Sequence, residues 1–267
     1  MTKIALLQLP TLALSEARLD YYLKHCKDSG AKLVVLGEYI LNSFFKELEN
    51  MPLSMIKKQS NERKNSLLNL SKKYDLTIVA PLILVKGKDI FKTIAKFTPL
   101  GARFHEQQIL MPYSHWNEAK FYKNKLKKEK LEFLTFRHDG FKFGILFGYE
   151  THFDTCFTTL SKKNIDAIIV PTASTFQSHQ RWTELLKMRA FTNSVYIIRA
   201  NRIGSYKIKN ETQEWEFYGD SMLISPLGEV SQKLSNQEEM MIANLSKKEL
   251  AQARNLWGFK NISKNFA

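Results

Sequence analysis

The runs LVVL (Leu33–Leu36) and AIIV (Ala167–Val170) are apolar at every position. A strand buried on one face alternates apolar and polar residues, whereas a strand apolar throughout is covered on both faces. Strands of this kind demand a sheet with something packed on each side. Further strand-like runs stand at Lys3–Leu9 (KIALLQL), Phe141–Phe147 (FKFGILF), Val195–Gly204 (VYIIRANRIG), Phe217–Pro226 (FYGDSMLISP) and Glu238–Leu245 (EEMMIANL). LTIVAPLILV and KTIAKFTP, joined at KGKD, read as a hairpin. Helical patterns lie between them. Ser15 is a candidate cap for a helix running to about Lys27, with Ala17, Leu19, Tyr22 and Leu23 as its apolar face. A lysine-rich helix covers Gln59–Tyr74, another His179–Asn193, and a last begins near Ser246 with Glu249 completing a capping box. This alternation predicts one α/β domain over residues 1–267, with a mixed sheet layered by helices.

With 267 residues and 44% hydrophobic content, the chain can bury a large core. No apolar run reaches the length of a membrane span, and MTKIALLQLP lacks the form of a signal peptide. Two cysteines, Cys26 and Cys156, are too few for a disulfide framework, so a cytoplasmic, reducing setting is expected. The net charge of +14 raises the question of an anionic partner. The lysines are scattered, however, and the densest run, Lys123–Phe133, is interleaved with glutamates as in a solvated segment. No zinc-finger spacing, RNA-binding aromatic motif or basic zipper is present, and neither nucleic acid nor membrane is expected as a partner.

Polar residues recur at strand ends: Glu38 after LVVLG, Gly148 and Glu150 after FGILF, Thr172 and Ser174 after IIVP. Carboxyl ends of sheet strands line ligand crevices in open α/β folds, so these positions are candidates for one site.

In order, VVLGE, QQILMP with HWNEAKFY, FGILFGYETHFD, VPTAS, RWTELLKMRAFTN, YIIRANRIG and FYGDSMLISPLGEV resemble the nitrilase, or carbon–nitrogen hydrolase, superfamily. HWNEAKFY and NRIG…FYGDS are most similar to the branch of N-carbamoylputrescine amidases and β-ureidopropionases. The resemblance implies a four-layer α-β-β-α sandwich, a homodimer or higher oligomer packing helical layers together, and cleavage of nitriles, amides or carbamoyl groups without metal or organic cofactor. It also implies a glutamate, a lysine, a cysteine and a second glutamate. A thiolate attacks carbon, a glutamate moves the proton, and a lysine with a backbone N–H holds the developing charge.

Carried over, the base falls on Glu38, the second glutamate at or beside Glu118, the lysine on Gln108 (or Gln107 after a one-residue slip), and the nucleophile on Gly148. Tyr149 and Glu150 match the aromatic–acid pair after the cysteine, while Thr192 departs from the family's glutamate. Tyr149, Glu150, Trp116, Thr172 and Ser174 are the expected substrate-binding residues. Cys156 lies about 12 Å on if the segment is helical and reads as a structural cysteine. His115 and Glu118 alone do not make a metal site. Arg189 is expected to pair with a carboxylate or a partner subunit rather than with substrate.

Losing nucleophile and charge-holder together costs on the order of 10⁴–10⁶ in rate. Gly148 is either a natural loss or an engineered change, and the second loss at Gln108 favours the natural one. The expectation is therefore a catalytically impaired family member that keeps a pocket for a small amine, amide or carbamoyl ligand. In that pocket Glu38, Glu118 and Glu150 would meet with no lysine among them. The alternatives are an active hydrolase with altered mechanism, one inactivated by engineering, or a structural or regulatory subunit.

Overall fold

A computed structural model describes residues 1–12, 15–127, 129–207 and 214–259; Lys128 of the lysine-rich run lies outside them. The chain begins with β1 (Thr2–Gln8), α1 (Ala17–Asp28) and β2 (Leu33–Leu36). A short α2 (Phe45–Leu48) and a long α3 (Leu53–Tyr74) lead to β3 (Thr77–Lys86), β4 (Asp89–Thr98) and β5 (Gly101–Glu106). After the small ribbon β6 (Pro112–Tyr113) and β7 (Trp116–Asn117) comes a single turn of helix, α4 (Glu118–Phe121). The second half holds β8 (Thr135–His138), β9 (Phe141–Ile145), a 3₁₀ turn at Gly148–His152, α5 (Asp154–Ser161), β10 (Ala167–Pro171) and α6 (His179–Asn193). It closes with β11 (Tyr196–Ala200), the ribbon β12 (Ile203–Lys207) and β13 (Glu214–Tyr218), β14 (Met222–Ile224), β15 (Val230–Lys233), β16 (Glu239–Leu245) and α7 (Lys247–Trp257).

Among the described residues two six-stranded sheets form, ordered β16-β1-β2-β3-β4-β5 and β15-β14-β11-β10-β9-β8. In each, three parallel strands form the centre and antiparallel strands the flanks. One core lies between the sheets, where Leu6, Val35, Val79 and Ile94 meet Phe143, Ile145, Ile169 and Ile198. A second fills the outer face of the first sheet, where Val34 and Ile78 meet Leu19 and Leu23 of α1 and Leu67 and Leu70 of α3. A third does the same for the other sheet with Phe157 and Leu160 of α5 and Leu186 and Ala190 of α6. Each central strand is thus covered on both faces, and the layers run helix, sheet, sheet, helix. This is the four-layer α-β-β-α sandwich.

Local chemistry accounts for the differences from the sequence reading. The lysine-rich helix begins at Leu53, because Pro52 just ahead of the first turn lacks only an N–H the helix does not need. Glu16 rather than Ser15 precedes α1, although the Ser15 hydroxyl still accepts from Ala17 N–H at 3.4 Å. VYIIRANRIG and FYGDSMLISP each break in two, because Asn201 and Asp220 leave the sheet to bond elsewhere. Strand β5 carried no strong apolar signal; it is an edge strand with no fully buried residue.

The site end of the first sheet opens because β2 is short. It pairs with β3 only as far as Val79, and Pro81, two residues on, has no N–H to offer. Beyond it, Ile83 N–H is taken by the Asn42 side chain at 3.0 Å. At the far end, α7 is tied down by Asp166. Its carboxylate accepts from Lys247 Nζ at 2.7 Å, Arg254 Nη1 at 2.9 Å and Lys142 N–H at 3.0 Å. Burial opposes the ionised form, but these donors together hold the Asp166 pKa below the ordinary 3.8. A depressed carboxyl pKa stabilises the fold above the unfolded value and stops doing so as pH falls through the folded one. Asp166→Asn is expected to cost about 1–3 kcal/mol at pH 7. In thermal melts the gap from the native chain should close as pH falls below about 4.

Candidate functional site

The carboxyl ends of β2, β9, β10 and β11 come together where the two sheets touch. Glu38 N–H donates to Thr172 O at 3.1 Å, and Thr172 N–H to Ala200 O at 2.9 Å. Gly37 makes the approach possible, since a Cβ there would stand 2.9 Å from the Asn201 carbonyl carbon. Asn201 then pins the crossing. Its Oδ1 accepts from Thr172 Oγ1 and Ser174 N–H, both at 2.9 Å, and its Nδ2 donates to Gly219 O.

Glu38 and Glu118 do meet, and a lysine stands between them. Lys92, from the middle of β4, places Nζ 2.5 Å from Glu38 Oε2 and 2.7 Å from Glu118 Oε1. All three are buried. The expectation of acids without a lysine is corrected here: the ammonium comes from a neighbouring strand, not from the segment that carries Gln108. Its signal was in the sequence. Lys92 and Ile94 share one face of β4 by the strand's period of two, and Ile94 faces the inter-sheet core. Tyr39 completes the network, donating its hydroxyl to Glu118 Oε1 at 2.6 Å and receiving that of Tyr122 at 3.3 Å. Tyr39 holds a left-handed backbone, φ 57°, which a bulky side chain seldom adopts. Thr11 Oγ1 and Arg202 Nη1 both donate to its carbonyl and hold it there.

Burial pushes the Glu38 carboxyl up to about 7; Lys92 pulls it down, Glu118 pushes it further up, and the Gly148 N–H donates to it. Burial also pulls on the Lys92 ammonium, but Glu118 and Glu38 outweigh it and raise its pKa. The rings of Tyr39 and Phe147, at 5.1 and 5.2 Å from Nζ, add to its stabilisation. Tyr39 and Tyr122 are pushed well above the usual phenol range, first by burial and then by Glu118, so both stay protonated donors.

Gly148 opens the 3₁₀ turn beside this cluster. Its φ is not in the left-handed region, so backbone strain is not what requires glycine. The reason is space: a Cβ would stand 2.7 Å from Thr172 Cγ2 and 3.2 Å from Trp182 Cη2. A cavity of about 210 Å³ opens above, walled by Glu38, Gly148, Tyr149, Thr172, Ser174 and Trp116, with Phe176 and Trp182 closing it.

Of the expected binding residues, Trp116, Tyr149, Thr172 and Ser174 line this cavity and Glu150 does not; nor does Gln108, the expected lysine position. Glu150 is buried with both oxygens engaged. Oε2 accepts from Phe147 N–H at 2.9 Å, and Oε1 from Gln108 N–H at 2.7 Å and Ile109 N–H at 3.2 Å. It braces the turn against the segment before β6, and burial lifts its pKa to about 7 against those donors. The Gln108 side chain donates to Glu106 O, and that of Gln107 to Ile109 O. Cys156 is buried in the first turn of α5, its thiol pushed to about 12 by burial. Arg189 pairs with Asp154 at 2.5 Å and caps Thr151 O and His152 O. Thr192 bonds back to Met188 O. Among the described residues no group of three or more His, Cys, Asp or Glu is placed to hold a metal. Trp182 and Asn201 were not read from the sequence as site residues. Trp182 lay on an ordinary helical face and Asn201 inside an apparent strand.

Residues 3–255 match the family described as carbon-nitrogen hydrolase. An omega-amidase of Danio rerio is 26% identical over 249 residues, covering 89% of this chain and 84% of that protein. An N-carbamoylputrescine amidase of Oryza sativa is 25% identical over 126 residues, 43% of this chain and 42% of that protein. The crystal structure of a carbon-nitrogen hydrolase from Helicobacter pylori superposes with a TM-score of 0.86 at 19% identity, covering 97% of this chain and 94% of the other.

Two substitutions test the geometry. Lys92→Met leaves two buried carboxylates without their cation and is expected to cost about 3–5 kcal/mol in urea unfolding at neutral pH. Adding Glu118→Gln should recover part of that loss. Gly148→Ala forces a methyl against Thr172 and is expected to cost about 1–3 kcal/mol. Thr172→Ser, which keeps the hydroxyl on Asn201 and removes the methyl, should make the same alanine nearly neutral.

Proposed function

Because the chain belongs to the carbon–nitrogen hydrolase family, we propose that it is a disarmed member: a protein that binds a small amine, amide or carbamoyl ligand without turning it over efficiently. The observation carrying this reading is the crowding at Gly148. A thiol in this family's chemistry must project from that corner, and here the Thr172 methyl and the Trp182 ring stand in its way. Cys156, buried and with a raised pKa, is no substitute. What persists is the acid–base and charge-holding half of the apparatus, Glu38 with Lys92 and Glu118, beside a cavity sized for a small molecule.

A second reading draws on that same half. Glu38, with a pKa near 7, could serve as a base toward water, and Lys92 keeps an ammonium beside it, so slow hydrolysis by an altered mechanism follows if water replaces the thiol. The N-carbamoyl amine branch is part of the proposal on the strength of HWNEAKFY and the partial match to the rice amidase. So is assembly through the helical layers, where Met188 of α6 and Leu256 and Trp257 of α7 are exposed. No helix among the described residues is long and apolar enough to cross a membrane, and a cytoplasmic setting belongs to the same reading.

Ammonia release from ω-amides and N-carbamoyl amines separates the two readings. The disarmed reading expects a rate indistinguishable from the uncatalysed one, and no gain from Gly148→Cys alone. A native rate about 10³-fold or more above background, lost in Glu38→Gln, would overturn it in favour of the water mechanism.

A further inference from the structure

The buried cluster is short of one positive charge. Glu38 and Glu118 supply two carboxylates and Lys92 one ammonium. The other acid nearby, Glu150, has both oxygens held by three backbone N–H groups, and Lys92 acts on it by charge without a hydrogen bond. Of the two carboxylates, Glu38 lines the cavity, while Glu118 is sealed behind it. No lysine or arginine is among the described residues that line the cavity. Its walls are aromatic instead, with Trp116, Tyr149, Phe176 and Trp182 around the carboxylate. Ser174 Oγ, on a residue 6% exposed that also lines the cavity, has no hydrogen-bond partner among the described residues.

Building on the reading of a retained ligand pocket, we propose that its occupant is a small organic cation, a primary ammonium or amidinium whose head sits between the Glu38 carboxylate and the Ser174 hydroxyl inside the aromatic walls. The chemistry is consistent at each contact. A cation restores neutrality to a cluster that otherwise must bury a net charge or take up a proton. The ring faces attract it, most strongly where water is excluded. Trp182 already has the Arg199 guanidinium over its ring at 5.2 Å, and Trp116, Tyr149 and Phe176 are the other aromatic residues of the wall. Trp116 Nε1, also without a partner among the described residues, is left for a neutral oxygen elsewhere in the same molecule. An anion would meet the Glu38 carboxylate, and a neutral amide would leave the charge uncorrected.

The groups facing Glu38 are Lys92 from β4, Glu118 from α4 and, behind them, the phenols of Tyr39 and Tyr122; His115 and His152 stand in the cavity wall. With the Glu38 carboxyl near 7, part of the population is protonated at neutral pH, and a cation must displace that proton. Binding therefore strengthens as pH rises through 7.

Titration calorimetry of the native protein with n-butylammonium, butyramide and butyrate presents one chain length in three charge states. The cation is expected to bind about tenfold or more tighter than the amide, with no binding of the carboxylate. Its enthalpy should vary between buffers of different ionisation heat at pH 7, showing proton release. In Glu38→Gln, checked by its thermal melt, the preference for the cation should vanish while any amide binding persists. Butyramide binding as well as or better than butylammonium overturns the inference and leaves the ligand pocket standing. Failure of all three to bind overturns both.

Discussion

One buried ion cluster explains why the site end of this molecule is built as it is. Lys92 reaches from a hairpin strand to carboxylates contributed by the loop after β2 and by a single turn of helix far along the chain. None of the three could be buried alone, since an isolated charge in the interior is expensive and breaking such a pair leaves its partner stranded. The neighbouring features serve that requirement. Tyr39 keeps an unfavourable backbone so that its hydroxyl reaches Glu118, and Thr11 and Arg202 fix its carbonyl in place. The aromatic cluster of Phe44, Phe45, Trp116, Trp215 and Phe217 packs over this end and keeps it dry.

The family's layered fold gives the cluster its setting. Parallel strands at the centre of both sheets deliver their carboxyl ends to one rim, and hydrogen bonds from Glu38 to Thr172 and from Thr172 to Ala200 join the rims. Glu150, expected from the sequence to bind substrate, acts instead as a bracket that ties the 3₁₀ turn to the backbone of Gln108 and Ile109. A residue in a motif position can therefore be bound up in architecture, while a residue from outside the motifs, Lys92, stands at the chemical centre.

The layers were readable because they follow from burial on both faces: LVVL, FKFGI and AIIVP had to be central strands, and α6 runs over the same residues its sequence pattern indicates. Glu38, Thr172 and Ser174 were readable as strand-end residues for the same reason. What escaped was contact across long separations. Nothing local in IFKTIAKF says that Lys92 will meet a glutamate 26 residues later, although a lysine on a core-facing stripe asks for such a partner. The constraint at Gly148 escaped as well: it is the proximity of Thr172, set by the packing of two strands.

That proximity has a historical side. A side chain at position 148 would press on the threonine methyl, so the thiol loss proposed above would be hard to reverse in one step. Residue 172 would have to shrink first, with no benefit of its own until the second change arrived. Under that proposal, lineages carrying this pair would be ratcheted, and relatives would sort by the two positions together.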